Sequence, residues 1–219
     1  WSVQSHLTAA ILHDFGGFPR ALYSLDYPAP GSPEAAERIV KLLLDAHIDV
    51  VKVPLRGLDH GAWVPLRYLF PEASLPVVQV SMPYPLDPRT YFAIGNALRP
   101  LSDEGYLILG SGGLTHNLSH FHGQPDDAEP LPYVAPFAEW FRGRLEAFEL
   151  DLLFDYRQRA PGALLAHPSD DHLMPLFFAL GAASGSKATR LHCTVSHALL
   201  AMDIYAFGDS PGLSRASNG

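Results

Sequence analysis

Apolar residues recur at helical spacing from Ala35 to Leu44, directly after Ser32-Pro33-Glu34. A serine cap, a first-turn proline and an early acidic residue together predict a helix starting there. The same reading predicts a short helix from Trp63 to Phe70, ended by Pro71, behind a turn at Gly57–Gly61. A third runs from Pro88 to Arg99, capped by Asp87 and stopped by Pro100, and others cover Tyr133–Leu150 and Leu152–Arg159. Ser169-Asp170-Asp171-His172 predicts one more helix start, with Leu173, Leu176, Phe177 and Leu180 on its buried side and a stop at Gly181–Gly185. Strands are predicted at Ile48–Val53, Pro76–Met82 and Tyr106–Leu109, the last two buried, and at 189–196 and 199–207 as an antiparallel pair. Thr8–Gly31 and 120–132 read as loops. Strands alternating with helices predict an α/β fold, a single domain with a central, mostly parallel or mixed sheet covered by helices on both faces.

Length changes little in that picture. At 219 residues one domain is the default, since domains run to about 100–200 residues and α/β ones to about 250. The formal charge of -8 is scattered and no Lys/Arg run occurs, which argues against a nucleic-acid or anionic-membrane partner. No apolar stretch reaches the roughly 18–20 residues of a membrane span, and no signal peptide is visible. A single cysteine, Cys193, excludes an internal disulfide and a cysteine-based zinc site. Leu191–Val195 reads as a buried strand with Cys193 as a small core residue, which fits a reducing, cytoplasmic compartment. The chain opens on Trp1-Ser2-Val3 as if within an element, and residues 209–219 read as a disordered tail.

The 11 histidines change it more, because most lie beside Asp, Gly, Asn or Pro, where an imidazole is free to act as ligand or base. Gly110-Ser111-Gly112-Gly113-Leu114-Thr115-His116-Asn117 follows a predicted strand, the place where α/β proteins put their sites. It is either a site loop with His116 as acid/base or a glycine turn with an incidental histidine. His167-Pro168-Ser169-Asp170-Asp171-His172 puts His172 in a first helical turn, a rigid base for a ligand, with Asp170 or Asp171 to orient it. Asp59-His60-Gly61 and His13-Asp14-Phe15-Gly16-Gly17-Phe18-Pro19 are weaker candidates, the second able to line a flat aromatic pocket. His6, His47 and His192 read as structural or surface residues, and His120, His122 and His197 stay undecided. A Ser111–His116 hydrolase lacks its GxSxG elbow, since Leu109 stands where the first glycine belongs.

Taken in order, these segments resemble the class III extradiol ring-cleaving dioxygenases, in the branch of the 4,5-DOPA dioxygenases. The matching residues are His13–Pro19, Tyr27-Pro28-Ala29-Pro30-Gly31, Gly57–Trp63, Pro76–Ser81, Ser111–Gly113 with His116–Leu118, His167–His172 with Pro175, and Ala201-Met202-Asp203. The resemblance implies a catalytic domain over residues 1–208 that opens a catechol-type ring with O₂, using iron(II), with zinc(II) as the other candidate ion. It implies His172 and His116 at the metal, His116 and His60 as catalytic residues, and His13, Phe18, Asn117 and His167 around the substrate. It also places two further metal-binding histidines, and the strands that carry them, ahead of Trp1. A degenerate, non-catalytic relative or accessory subunit is the rival expectation. The implied partners are a catechol-type small molecule and O₂, with neither nucleic acid nor membrane, and an oligomer is allowed.

Overall fold

The computed structural model describes residues 1–5, 10–85 and 87–208. His6, the start of the Thr8 loop and the 209–219 tail lie outside the described residues. The chain forms two compact units, Trp1–Tyr84 and Pro85–Gly219, each a mixture of helices and small sheets.

In the first unit, β1 (Ser2–Gln4) and β2 (Val51–Val53) pair in parallel across α1 (Pro33–Asp45). The helix starts as its sequence demands: Ser32 Oγ accepts from the Ala35 N–H at 3.1 Å, and Ala35, Ile39 and Leu43 recur every four residues on the buried side. α2 (His60–Leu69) begins three residues before its predicted start, because the Asp59 carboxylate accepts from the Ala62 N–H and so caps it. Trp63 and Leu66 then pack with Tyr27, Ala29, Leu58 and Ala73 into one core, and the Trp63 indole N–H donates to Leu12 O at 3.0 Å.

The second unit is mainly helical: α3 (Pro88–Leu98), α4 (Pro100–Asp103), α5 (Val134–Glu146), α6 (Leu150–Phe154), α7 (Tyr156–Arg159), α8 (Ala163–Ala166) and α9 (Met174–Ala182). α3 and α9 cross at glycines. A Cβ on Gly95 would lie 2.0 Å from Phe178 O, and one on Gly181 would lie 2.0 Å from Phe92 O. An aromatic core of Phe137, Phe141, Tyr156 and Phe177 fills the space between α5, α7 and α9, with ring centroids 4.8–6.4 Å apart. The chain then folds into an antiparallel hairpin. β3 (Ala188–His192) pairs with β6 (Ile204–Phe207), and β4 (Val195–Ser196) with β5 (Leu200–Ala201). His197 and Ala198 sit at its tip with φ of 52° and 67°, the left-handed pair that a tight hairpin turn needs.

Asp87 caps α3 as predicted, accepting from the Thr90 N–H at 2.8 Å. Burial alone would raise its carboxyl, but the Thr90 hydrogen bonds outweigh burial and hold it below the ordinary 3.8. The charged cap therefore contributes fully above that ordinary value, and its contribution is lost as pH falls through the lowered one. Asp87→Ala should cost about 1 kcal/mol in urea unfolding near neutrality, and the deficit should shrink in acid well below pH 3.8.

Several expectations need correcting. Among the described residues the strands form three two-stranded sheets, of which only β1–β2 is parallel, and no central sheet. Pro76–Met82 meets β1 at an isolated bridge between Val3 and Val80 and forms no ladder among the described residues. Tyr106–Leu109 has no ladder partner among the described residues, and Leu107 is 67% exposed. Strand propensity became no strand there because a ladder needs a neighbour to share its hydrogen bonds. The helix predicted from Ser169 begins at Met174, with residues 168–173 forming a turn. Cys193 is exposed in the gap between β3 and β4, not in the core, since the strand pairing stops at His192 and resumes at Val195.

Candidate functional site

Two loops of the second unit carry His116 and His172, and hydrogen bonds lace those loops together. The Gly113 N–H donates to His172 O (2.9 Å), the His116 N–H to Ala166 O (2.9 Å), and the Asn117 amide nitrogen to Leu165 O (2.8 Å). The His167 ring closes the set, its Nε2–H donating to Leu114 O at 2.8 Å. Gly110 and Gly112 make the approach possible: a Cβ on either would lie 2.1 Å from Pro175 O or 2.0 Å from His172 O. Behind the first loop, buried Thr115 donates to Leu199 O and accepts from the Ala201 N–H, which pins it to the hairpin.

The result is a stacked imidazole pair. The His116 and His172 rings lie 3.5 Å apart at 8°. Burial first, and then the neighbouring His172, pull His116 down to about 4, so it is a neutral base near pH 7. Of the two acids expected to orient His172, the geometry selects Asp171, whose carboxylate lies 2.8 Å from Nδ1. Burial would raise Asp171, but the Ser169 hydroxyl and His172 outweigh it and hold the carboxyl low. Asp170 turns away and takes the Tyr156 hydroxyl and the Arg157 guanidinium, while Arg157 also donates to His167 O at 3.1 Å. That network anchors the turn from behind.

Two residues expected around a substrate sit deeper than that. His167 is 0% exposed, burial pushes it down, and its Nδ1 has no hydrogen-bond partner. Asn117 is buried too, with its oxygen accepting from Ser119 and its nitrogen bound to Leu165. Both hold the loops in place. Ser111 is exposed and, among the described residues, forms no hydrogen bond with His116.

His13, Phe18 and His60 come together in the first unit. The Asp14 carboxylate accepts both from the His60 backbone N–H (3.0 Å) and from His60 Nδ1 (2.9 Å). Phe15 stands at the centre of a ring cluster, 5.8 Å from His13, 5.4 Å from Phe18, 5.3 Å from Tyr23 and 6.1 Å from His60. Sequence reasoning misses Asp14 because its partner lies 46 positions away, and its local signal is no more than a carboxylate beside His13. Of the undecided histidines, His120 and His122 line a cleft of about 310 Å³ with Gln124 and Tyr133, and His197 bonds to Gln124 O.

The donor chemistry suits a borderline metal ion, since neutral imidazoles favour iron or zinc. The donor count does not: among the described residues no group of three His, Cys, Asp or Glu side chains can hold an ion, whereas tight sites use about three protein ligands.

Residues 3–208 match the family model described as the catalytic LigB subunit of aromatic ring-opening dioxygenase. The chain is 41% identical over 199 residues to a 4,5-DOPA dioxygenase extradiol of Beta vulgaris, covering 90% of this chain and 73% of that protein. It is 37% identical over 185 residues to a protein of the same description from Escherichia coli K12, covering 82% and 66%. A crystal structure of an uncharacterised Escherichia coli K12 protein superposes with a TM-score of 0.75 at 32% identity, covering 92% of this chain and 78% of that one.

Proposed function

Because the chain belongs to the LigB family of aromatic ring-opening dioxygenases, we propose that it opens a catechol ring beside its diol, on a DOPA-like substrate, with O₂ and iron(II). The observation that carries this reading is the stacked pair of His116 and His172. His116 is the acid/base: neutral at physiological pH, it takes a proton from a catechol hydroxyl and returns it as the ring opens. His172, held by Asp171 and seated on Gly112, is the proposed metal-facing imidazole. Iron(II) is the proposed cofactor, and zinc(II) suits the same donors. As placed, the described residues do not complete a coordination sphere. In the first unit, His60 is the proposed second proton-handling group, and His13 and Phe18 belong to an aromatic surface on which a planar ring stacks. No helix among the described residues is long and apolar enough to cross a membrane, and a reducing, cytoplasmic setting is proposed from the unpaired Cys193.

Aerobic incubation with iron(II) and a substituted catechol tests the reading. The expected result is a yellow ring-opened product whose formation stops in His116→Ala and His172→Ala. Intact ring chemistry across a panel of catechols would overturn it. A second reading, a relative that keeps the fold without catalysis, is favoured by the incomplete ligand set. Metal analysis separates the two: about one equivalent of tightly bound iron or zinc excludes the second reading.

A further inference from the structure

The Asp14–His60 pair has a geometry that the sequence did not disclose. One carboxylate oxygen accepts from both the backbone N–H and the ring Nδ1 of His60. The histidine is thereby fixed at two points, at the first residue of α2. Phe15 meets the imidazole edge to face, with ring centroids 6.1 Å apart at 89°, and is itself wedged among His13, Phe18, Tyr23 and Trp63. The His60 side chain is 47% exposed, and among the described residues nothing hydrogen-bonds its Nε2. An acceptor-only carboxylate on Nδ1 demands a hydrogen there. The remaining lone pair of the neutral ring then lies on Nε2, at the open side.

We propose that Asp14 is a positioning residue that holds His60 in its Nδ1–H tautomer, so that Nε2 accepts a proton from a phenolic hydroxyl of the substrate. The O–H bond breaks and an N–H bond forms at Nε2. The imidazolium so created faces the Asp14 carboxylate, and the proton leaves to product or water on turnover. For its substrate the proposal rests on the ring-opening reading; its first test does not.

That test is ¹⁵N–¹H long-range correlation of the His60 ring in the wild-type protein, on the alkaline side of neutrality. Nδ1 is expected at the protonated position and Nε2 at the unprotonated one, and Asp14→Ala should redistribute the hydrogen towards Nε2. A wild-type ring that carries its hydrogen on Nε2, or a pattern unmoved in Asp14→Ala, overturns the proposal whether or not any catechol is opened. Kinetically, Asp14→Ala should lower kcat by about 10–100-fold with little change in KM, and Asp14→Asn, which keeps an acceptor oxygen, should recover part of it. Asp14→Ala also removes a bond from the first N–H of α2, so the double variant with His60→Gln provides a check. Once His60 is gone, losing Asp14 should cost nothing further in kcat, whereas additive losses would mean that Asp14 does not act through His60.

Discussion

Gly112→Ala is expected to lower turnover about 100-fold while leaving the helices intact. The new Cβ would sit 2.0 Å from the His172 carbonyl oxygen and 3.0 Å from its carbon. Both are backbone atoms, so no side chain can swing aside. Either the glycine loop or the His172 turn must retreat by about an ångström, and a misplacement of that size is enough for such a loss. The retreat also breaks the Gly113 N–H bond to His172 O, which fixes the spacing of the stacked imidazoles. Gly113→Ala is the control, because its Cβ meets nothing closer than Thr115 O at 3.3 Å; it should cost less than about tenfold. The readouts are kcat on a catechol, metal uptake and far-UV circular dichroism. Wild-type turnover in Gly112→Ala would show that the two loops do not depend on that contact.

What the sequence could reveal of this arrangement was limited by how local each cause is. Ser32 and Asp87 cap their helices from within three residues, so both starts were visible. His116 was visible as a histidine behind a glycine loop, and His172 as one within an acidic turn. The helix expected from Ser169 fails for a distant reason. Asp170, which would have stabilised a first helical turn, is taken by Tyr156 and Arg157, 14 and 13 residues earlier. The turn opens, and helix begins only at Met174. Tyr106–Leu109 fails for the opposite reason: its apolar pattern is real, but a strand exists only where a neighbour accepts its hydrogen bonds. His167 and Asn117 show a third limit. Both were expected to face a substrate, and each instead donates one hydrogen bond to a backbone carbonyl across the loop pair. Residue type suggested chemistry, but the bonding partners, about 50 residues away, assign architecture.

The same substitution should have opposite signs at two glycines of the second unit. Gly181 lies on α9 against α3, where an added Cβ would be 2.0 Å from Phe92 O, 2.8 Å from its carbon and 3.0 Å from its Cα. Gly95 makes the reciprocal contact with Phe178 O and the Ala182 nitrogen. Neither helix can yield locally, since each offers the other its backbone, so Gly181→Ala must push apart two helices that bury Ile94 and Leu98 on α3 and Phe177 and Leu180 on α9. Overpacking of this kind costs about 3 kcal/mol, a fall in Tm of roughly 6–12 °C for a chain of this size. Gly143 lies inside α5 with nothing within 4 Å of its would-be Cβ. There alanine only removes the entropy cost of glycine, and should stabilise by about 0.5–1 kcal/mol. Thermal melts of the two variants side by side decide the matter. An unchanged Gly181→Ala would mean that the crossing is looser than described, and a destabilised Gly143→Ala would mean that α5 has no room at that position. Because α9 also presents Pro175 O to Gly110, the displacement in Gly181→Ala should reach the His172 turn. That variant should therefore lose turnover at temperatures where it is still fully folded, which separates a shifted site from simple melting.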